Sequence, residues 1–156
     1  VLSTRRMLDA PEHTAAGSEL DLGGIQLADD GAFLVARALR ARPSLTVCVL
    51  ASTGLTDYGA DILASTIEKV GPRHLTCFDL SSNQLSFRGV MAIVRALGGV
   101  FPLSRPSKHE VTVSFEENHL TWHTSAGNRR ALQERIGMLA QARVIVAAPD
   151  CPDDDG

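Results

Sequence analysis

The chain is poor in cysteine. Cys48, Cys77 and Cys151 are the only three in 156 residues, and no two of them form a C-x-x-C pair. So sparse and odd a count argues against a disulfide framework and fits a reducing, intracellular setting, whether cytoplasm or an organelle interior. Long hydrophobic runs are missing too. No stretch approaches the roughly 20 apolar residues that span a bilayer, so no membrane insertion is expected. No secretory signal stands at the start, and the opening Val in place of Met fits a processed or truncated N-terminus. G-x-x-x-x-G-K-[ST], H-E-x-x-H and G-x-S-x-G are all absent, which takes away the best-marked phosphate-binding, metalloprotease and serine-hydrolase chemistries. A dominant charge is lacking as well, since the net charge is −3. Its distribution is uneven: residues 1–31 hold six acids and two arginines, the last seven residues hold four acids and no base, and residues 32–149 hold 13 Lys/Arg against 8 Asp/Glu. That body is mildly basic, well short of a nucleic-acid-binding stripe.

What the chain has is apolar content, 44%, enough for one domain with a packed core. It also has a repeated pattern. Residues Leu75–Leu85 read L-x-x-L-x-L-x-x-N-x-L, with Phe78 in the second apolar slot. Aligned on the last Leu of the motif, the copies end at Leu27, Leu55, Leu85 and Leu120, spaced 28, 30 and 35 residues apart. Counting back gives the inward slots. They are Leu20 and Leu22 in the first copy, Leu45, Cys48 and Leu50 in the second, and Leu75, Phe78 and Leu80 in the third. The fourth has Val113 and Phe115, with Glu110 where an apolar residue is expected. The Asn slot holds Ile25, Thr53, Asn83 and Asn118. A buried amide there bonds peptide groups left unpaired where the chain turns out of a short strand. Asn does this fully, Thr partly and Ile not at all.

Four residues after the first three anchors stand Gly31, Gly59 and Gly89, each opening a run with helical apolar spacing: 30–41, 57–70 and 87–97. In the first run the apolar positions are Phe33, Leu34, Ala36, Ala38 and Leu39. Pro43, Pro72 and Pro102 follow as stops. Gly23-Gly24 and Gly98-Gly99 read as turns. A longer helix is expected over 125–142 and a further edge strand over Val144–Val146.

This pattern resembles the leucine-rich repeat family, in its long-repeat, ribonuclease-inhibitor-like branch, over residues 18–142. The resemblance implies an α/β fold: a short curved solenoid of about four units, with a parallel sheet on the concave face and helices on the convex face. Residues 1–17 would be an N-terminal extension, and 143–156 an edge strand followed by an acidic tail.

Two candidate partner surfaces follow. Strand side chains alternate, so the residues between inward slots point out onto the concave face: Asp21 and Gly23, Val49 and Ala51, Asp79 and Ser81, Ser114 and Glu116. That surface is small-residue and mildly acidic, suited to a basic peptide or helix. The segment Gly98–His109 lengthens the last spacing and carries Phe101, Leu103, Arg105 and Lys108 on what reads as an exposed binding loop.

The remaining chemistry-bearing residues read blandly. His119 and His123 straddle the turn after Leu120 without nearby cysteines, so neither a metal nor any cofactor is expected. Cys48 reads as a small core residue, Cys77 as its half-exposed neighbour, and Trp122 as packing under the turn. The expectation is a non-enzymatic protein-interaction module, a structural or scaffold subunit whose partners are other protein subunits. The alternative is regulation of an enzyme in trans, as in GTPase-activating or inhibitor-like members of the family. RNA contact through Arg105, Lys108, Arg129 and Arg130 is a third reading.

Overall fold

A computed structural model describes residues 19–118 and 125–148. The expectations for Leu120, His119, His123, Trp122, Cys151, the N-terminal extension and the acidic tail fall outside these residues.

Strands and helices alternate along the chain: β1 (Glu19–Asp21), α1 (Asp30–Ala41), β2 (Val47–Val49), α2 (Asp57–Val70), β3 (Cys77–Asp79), α3 (Phe87–Val100), β4 (Val111–Ser114), α4 (Ala126–Gln141) and β5 (Val144–Ala147). The five strands form one parallel sheet in sequence order. Register places Leu20, Cys48, Phe78, Val113 and Val146 side by side. Leu22, Leu50, Leu80 and Phe115 bury completely one step on, and Leu55 and Leu85 complete the same inner layer. Each helix packs on the next, closing that layer from the other side. The expected edge strand is β5.

The strands are short because the chain leaves the ladder at the same point in successive units. Gly24, Ser52, Ser82 and Glu117, each one residue before the Asn slot, have φ of 79°, 56°, 55° and 60°. A left-handed residue turns the backbone and strands its peptide groups. Asn83 takes up those groups. Its Oδ1 accepts from the backbone N–H of Thr53 and of Leu55, both at 3.0 Å, and its Nδ2 donates to the carbonyls of Leu50 at 2.8 Å and Leu80 at 3.0 Å. Asn118 repeats this one unit on, accepting from Leu85 N–H at 2.9 Å and donating to Leu80 and Phe115, each at 2.9 Å. Thr53 manages one bond of this kind, from its hydroxyl to the Leu50 carbonyl at 3.0 Å. It cannot reach Leu27, whose N–H turns to the backbone carbonyls of Ile25 and Thr53 instead.

A second ladder fixes the helix starts. Asp29 Oδ1 accepts from the N–H of Thr56 at 2.9 Å and of Gly59 at 3.2 Å, and Oδ2 accepts from the Thr56 hydroxyl at 2.7 Å. Thr56 in turn caps α2. One unit later Asp57 Oδ1 accepts from Ser86 N–H at 2.9 Å and Oδ2 from the Ser86 hydroxyl, while Ser86 caps α3. Each carboxylate meets the electropositive start of the next helix. The glycines four residues past the anchors now have a reason. A Cβ on Gly59 would stand 2.6 Å from Asp29 Oδ1, and one on Gly89 would collide with Asp57 Oδ1.

Four sequence expectations need correction. Helix α3 does not stop at Leu97. Gly98 and Gly99 continue it, because Val100 and Phe101 gain core burial, at 8% and 1% exposed. Burying two large side chains outweighs the roughly 1 kcal/mol that each helical glycine costs. On α1 the inward stripe is Ala32, Val35, Ala36, Ala38 and Leu39, and Phe33 is 51% exposed. In the fourth unit Glu110 is exposed, and its neighbour Val111 takes the inward place. Helix α4 begins one residue late and ends one early against expectation, with Ser125 as its cap.

Candidate functional site

The sheet face turned away from the helices carries three rows of side chains. Register aligns Glu19, Val47, Cys77, Thr112 and Ile145 in the first, and Asp21, Val49, Asp79, Ser114 and Ala147 in the second. Gly23, Ala51, Ser81 and Glu116 follow two residues after the second row. The eight positions assigned to this face from sequence all lie on it: Asp21, Gly23 and Glu116 are exposed, and Val49, Ala51, Asp79, Ser81 and Ser114 are half-buried. Sequence reasoning read Cys77 as half-exposed but did not place the first row on this face. Its signal was available for Glu19, Val47, Cys77 and Thr112, each two residues before a position already read as outward.

The rows hold four acids, Glu19, Asp21, Asp79 and Glu116, and no Lys, Arg or His. Two of these carboxylates are held by their own backbone. Asp21 Oδ1 accepts from Gly23 N–H at 2.9 Å, and Asp79 Oδ1 accepts from Ser81 N–H at 2.9 Å. At the equivalent place Ser114 Oγ accepts from Glu116 N–H at 3.5 Å. This side-chain turn uses one carboxylate oxygen and leaves the other facing outward. The charges therefore stand at fixed positions on a rigid sheet, with neighbouring strands about 4.8 Å apart.

Over β3, β4 and β5 the face dips into an open depression of about 370 Å³ lined by Cys77, Asp79, Thr112, Ser114, Glu116 and Ile145. Ile145 is 44% exposed there, an apolar contact beside two acids. Cys77 is a free, half-buried thiol on this surface, while Cys48 behind it is fully buried. Burial, and secondarily the neighbouring Cys77, push the Cys48 thiol up to about 12, so it carries no nucleophile at neutral pH. Among the described residues no three His, Cys, Asp or Glu side chains group closely enough to hold a metal ion. Likewise, among those residues no helix is long and apolar enough to cross a membrane.

The second predicted surface is only partly realised. Leu103 is 47% exposed, and Arg105 and Lys108 are exposed, as expected of a binding loop. Phe101 is not available to a partner. It is 1% exposed, and the Arg73 guanidinium lies 5.1 Å from its ring centroid. Arg73 also donates to the carbonyls of Val100, Arg105 and Pro106 and so pins the loop from the preceding unit. No sequence spacing marked Arg73, because its partners lie 27 to 33 residues away. The four residues of the RNA reading are not brought together. Arg105 and Lys108 precede β4, whereas Arg129 and Arg130 lie in the first turns of α4, at the opposite end of the same unit.

No family model and no curated protein matches the chain. Among solved structures it is similar to the leiomodin-1 actin-binding site 2, with a TM-score of 0.67 at 16% identity, over 96% of this chain and 78% of that one. The likeness is one of fold: a parallel sheet backed by helices, in a leucine-rich-repeat-like arrangement.

Proposed function

We propose that the chain is a non-enzymatic protein-interaction module that receives a basic segment of a partner protein on the open face of its sheet. The observation that carries this reading is the sign of that face: Glu19, Asp21 and Asp79 on aligned strands and Glu116 just past β4, with no base among them. Oriented carboxylates of one sign speed the approach of an opposite charge and select against acidic competitors. Exposed Ile145 and the shallow depression beside it add the apolar contact that a specific interface needs near its centre. The leiomodin-1 neighbour, described as an actin-binding site, supports protein as the partner class. The finer assignment is a short solenoid of the ribonuclease-inhibitor-like branch serving as a fixed scaffold subunit of a larger assembly. It rests on the repeated motif and its two hydrogen-bond ladders.

The test uses neutralisation. Asp21 and Asp79 each bond a backbone N–H, which reversal to Lys would break and Asn would keep. The triple variant Asp21→Asn/Asp79→Asn/Glu116→Gln is expected to fold like the wild type and to lose recovery of the native partner in a pull-down. Equal recovery by the two proteins would sink the reading.

A further inference from the structure

We propose a second docking groove, on the helical side of the sheet at the Gly98–Gly99 end of α3, that takes an acidic protein segment carrying an apolar anchor. It rests on residues separate from the open face and stands or falls independently of it.

Two depressions meet at Gly99. One, of about 180 Å³, lies between the end of α3 and α4, bordered by Arg95, Leu103, Arg135 and Met138. The other, of about 420 Å³, opens toward the end of α2 and is bordered by Glu68, Arg73 and Arg105. Where they meet, the helix presents no side chain: a Cβ placed on Gly98 or Gly99 meets nothing within 4 Å. Beside it Leu103 and Met138 are 47% and 53% exposed. Large apolar side chains in open water beside a bare helical backbone form a seat for another apolar side chain.

The charges around this seat are one-sided. Arg73, Arg95, Arg105 and Arg135 line the two depressions, against Glu68 as the single carboxylate. Neither ion pair found among the described residues involves any of these four arginines. Burial, and after it the neighbouring Arg105 cation, lower the Arg73 guanidinium from its ordinary value. Guanidinium forks pair with carboxylates bidentately.

An acidic peptide with one Leu, Met or aromatic residue satisfies both halves of the site. A nucleic acid satisfies one. Single-stranded RNA seeks aromatic faces for its bases. Of the residues lining the depressions Phe101 alone is aromatic, and it is buried under Arg73.

The test is selection of random dodecapeptides displayed on phage against the full chain at physiological salt. Enriched peptides should combine Asp/Glu with a large apolar residue. Their binding should weaken about ten-fold or more in Gly99→Leu and in Arg95→Glu/Arg135→Glu. Gly99→Leu keeps every charge and fills only open space, so its melting temperature should not fall, and its effect separates the groove from general attraction to arginine. Three results would each overturn the proposal: no enrichment of acids with apolar anchors, enriched peptides that bind Gly99→Leu as tightly as wild type, or their displacement by an equal concentration of oligouridine, which would assign the surface to nucleic acid.

Discussion

Asn83 shows how much one side chain holds here. It is 4% exposed and bonds backbone groups of its own unit and of the preceding one. Asn83→Ala strands the N–H groups of Thr53 and Leu55 in the interior. The expected loss is about 3 kcal/mol of unfolding free energy, read from urea denaturation. Thr53→Ala, which removes a hydroxyl shared between the Leu50 carbonyl and Asn83 Oδ1, should cost about 1 kcal/mol. Cys48 gives a second residue-scale outcome. Its thiol is pushed up from an ordinary 9.0 to about 12 in the folded chain. Above pH 9 the unfolded chain releases that proton and the folded chain keeps it, so the unfolded state binds fewer protons and stability falls as pH rises toward 12. Cys48→Ala should flatten this alkaline loss in pH-dependent melts.

At the scale of the element, the glycines divide by what stands above them. Gly89 opens α3 under the Asp57 carboxylate that holds its cap Ser86, whereas Gly99 near its end faces open space. Gly89→Ala must displace that carboxylate, at an expected cost of about 1–3 kcal/mol. Gly99→Ala should gain about 0.5–1 kcal/mol by removing backbone freedom from the unfolded chain. Thermal melts of the two variants should therefore shift in opposite directions. These glycines also mark how far sequence carries. The regular spacing of Gly31, Gly59 and Gly89 is visible as a pattern, as are the inward Leu slots and Asn83, because local geometry dictates them. A Cβ on Gly59 would meet Leu55, the local anchor, and also the Asp29 carboxylate, which comes from 30 residues earlier and to which no local rule points. Gly98-Gly99 misleads for the same reason. Two glycines are a turn by propensity, and the burial of Phe101 by tertiary contacts overrides it. That burial also removes Phe101 from the predicted binding loop.

At the scale of the whole molecule, the sheet turns one face to its helices and leaves the other open, and the alternation of strand side chains decides which residues stand on it. The eight face positions were legible because a period of two needs only the register of the motif. The first row, with Cys77 and Ile145, was not placed on this face because the motif was counted from its C-terminal anchor. The depression they share with Asp79 and Glu116 exists only once β5 pairs with β4. Cys77 lies on that face as a free, half-buried thiol and serves as its reporter. The most direct measurement is therefore the alkylation rate of Cys77 in a Cys151→Ser chain, free and with its native partner bound. The open face as the binding surface predicts that Cys77 reacts about ten-fold or more slowly in the complex, with the rate restored when high salt dissociates it. An unchanged rate while the partner remains bound would place the interface elsewhere and contradict the account.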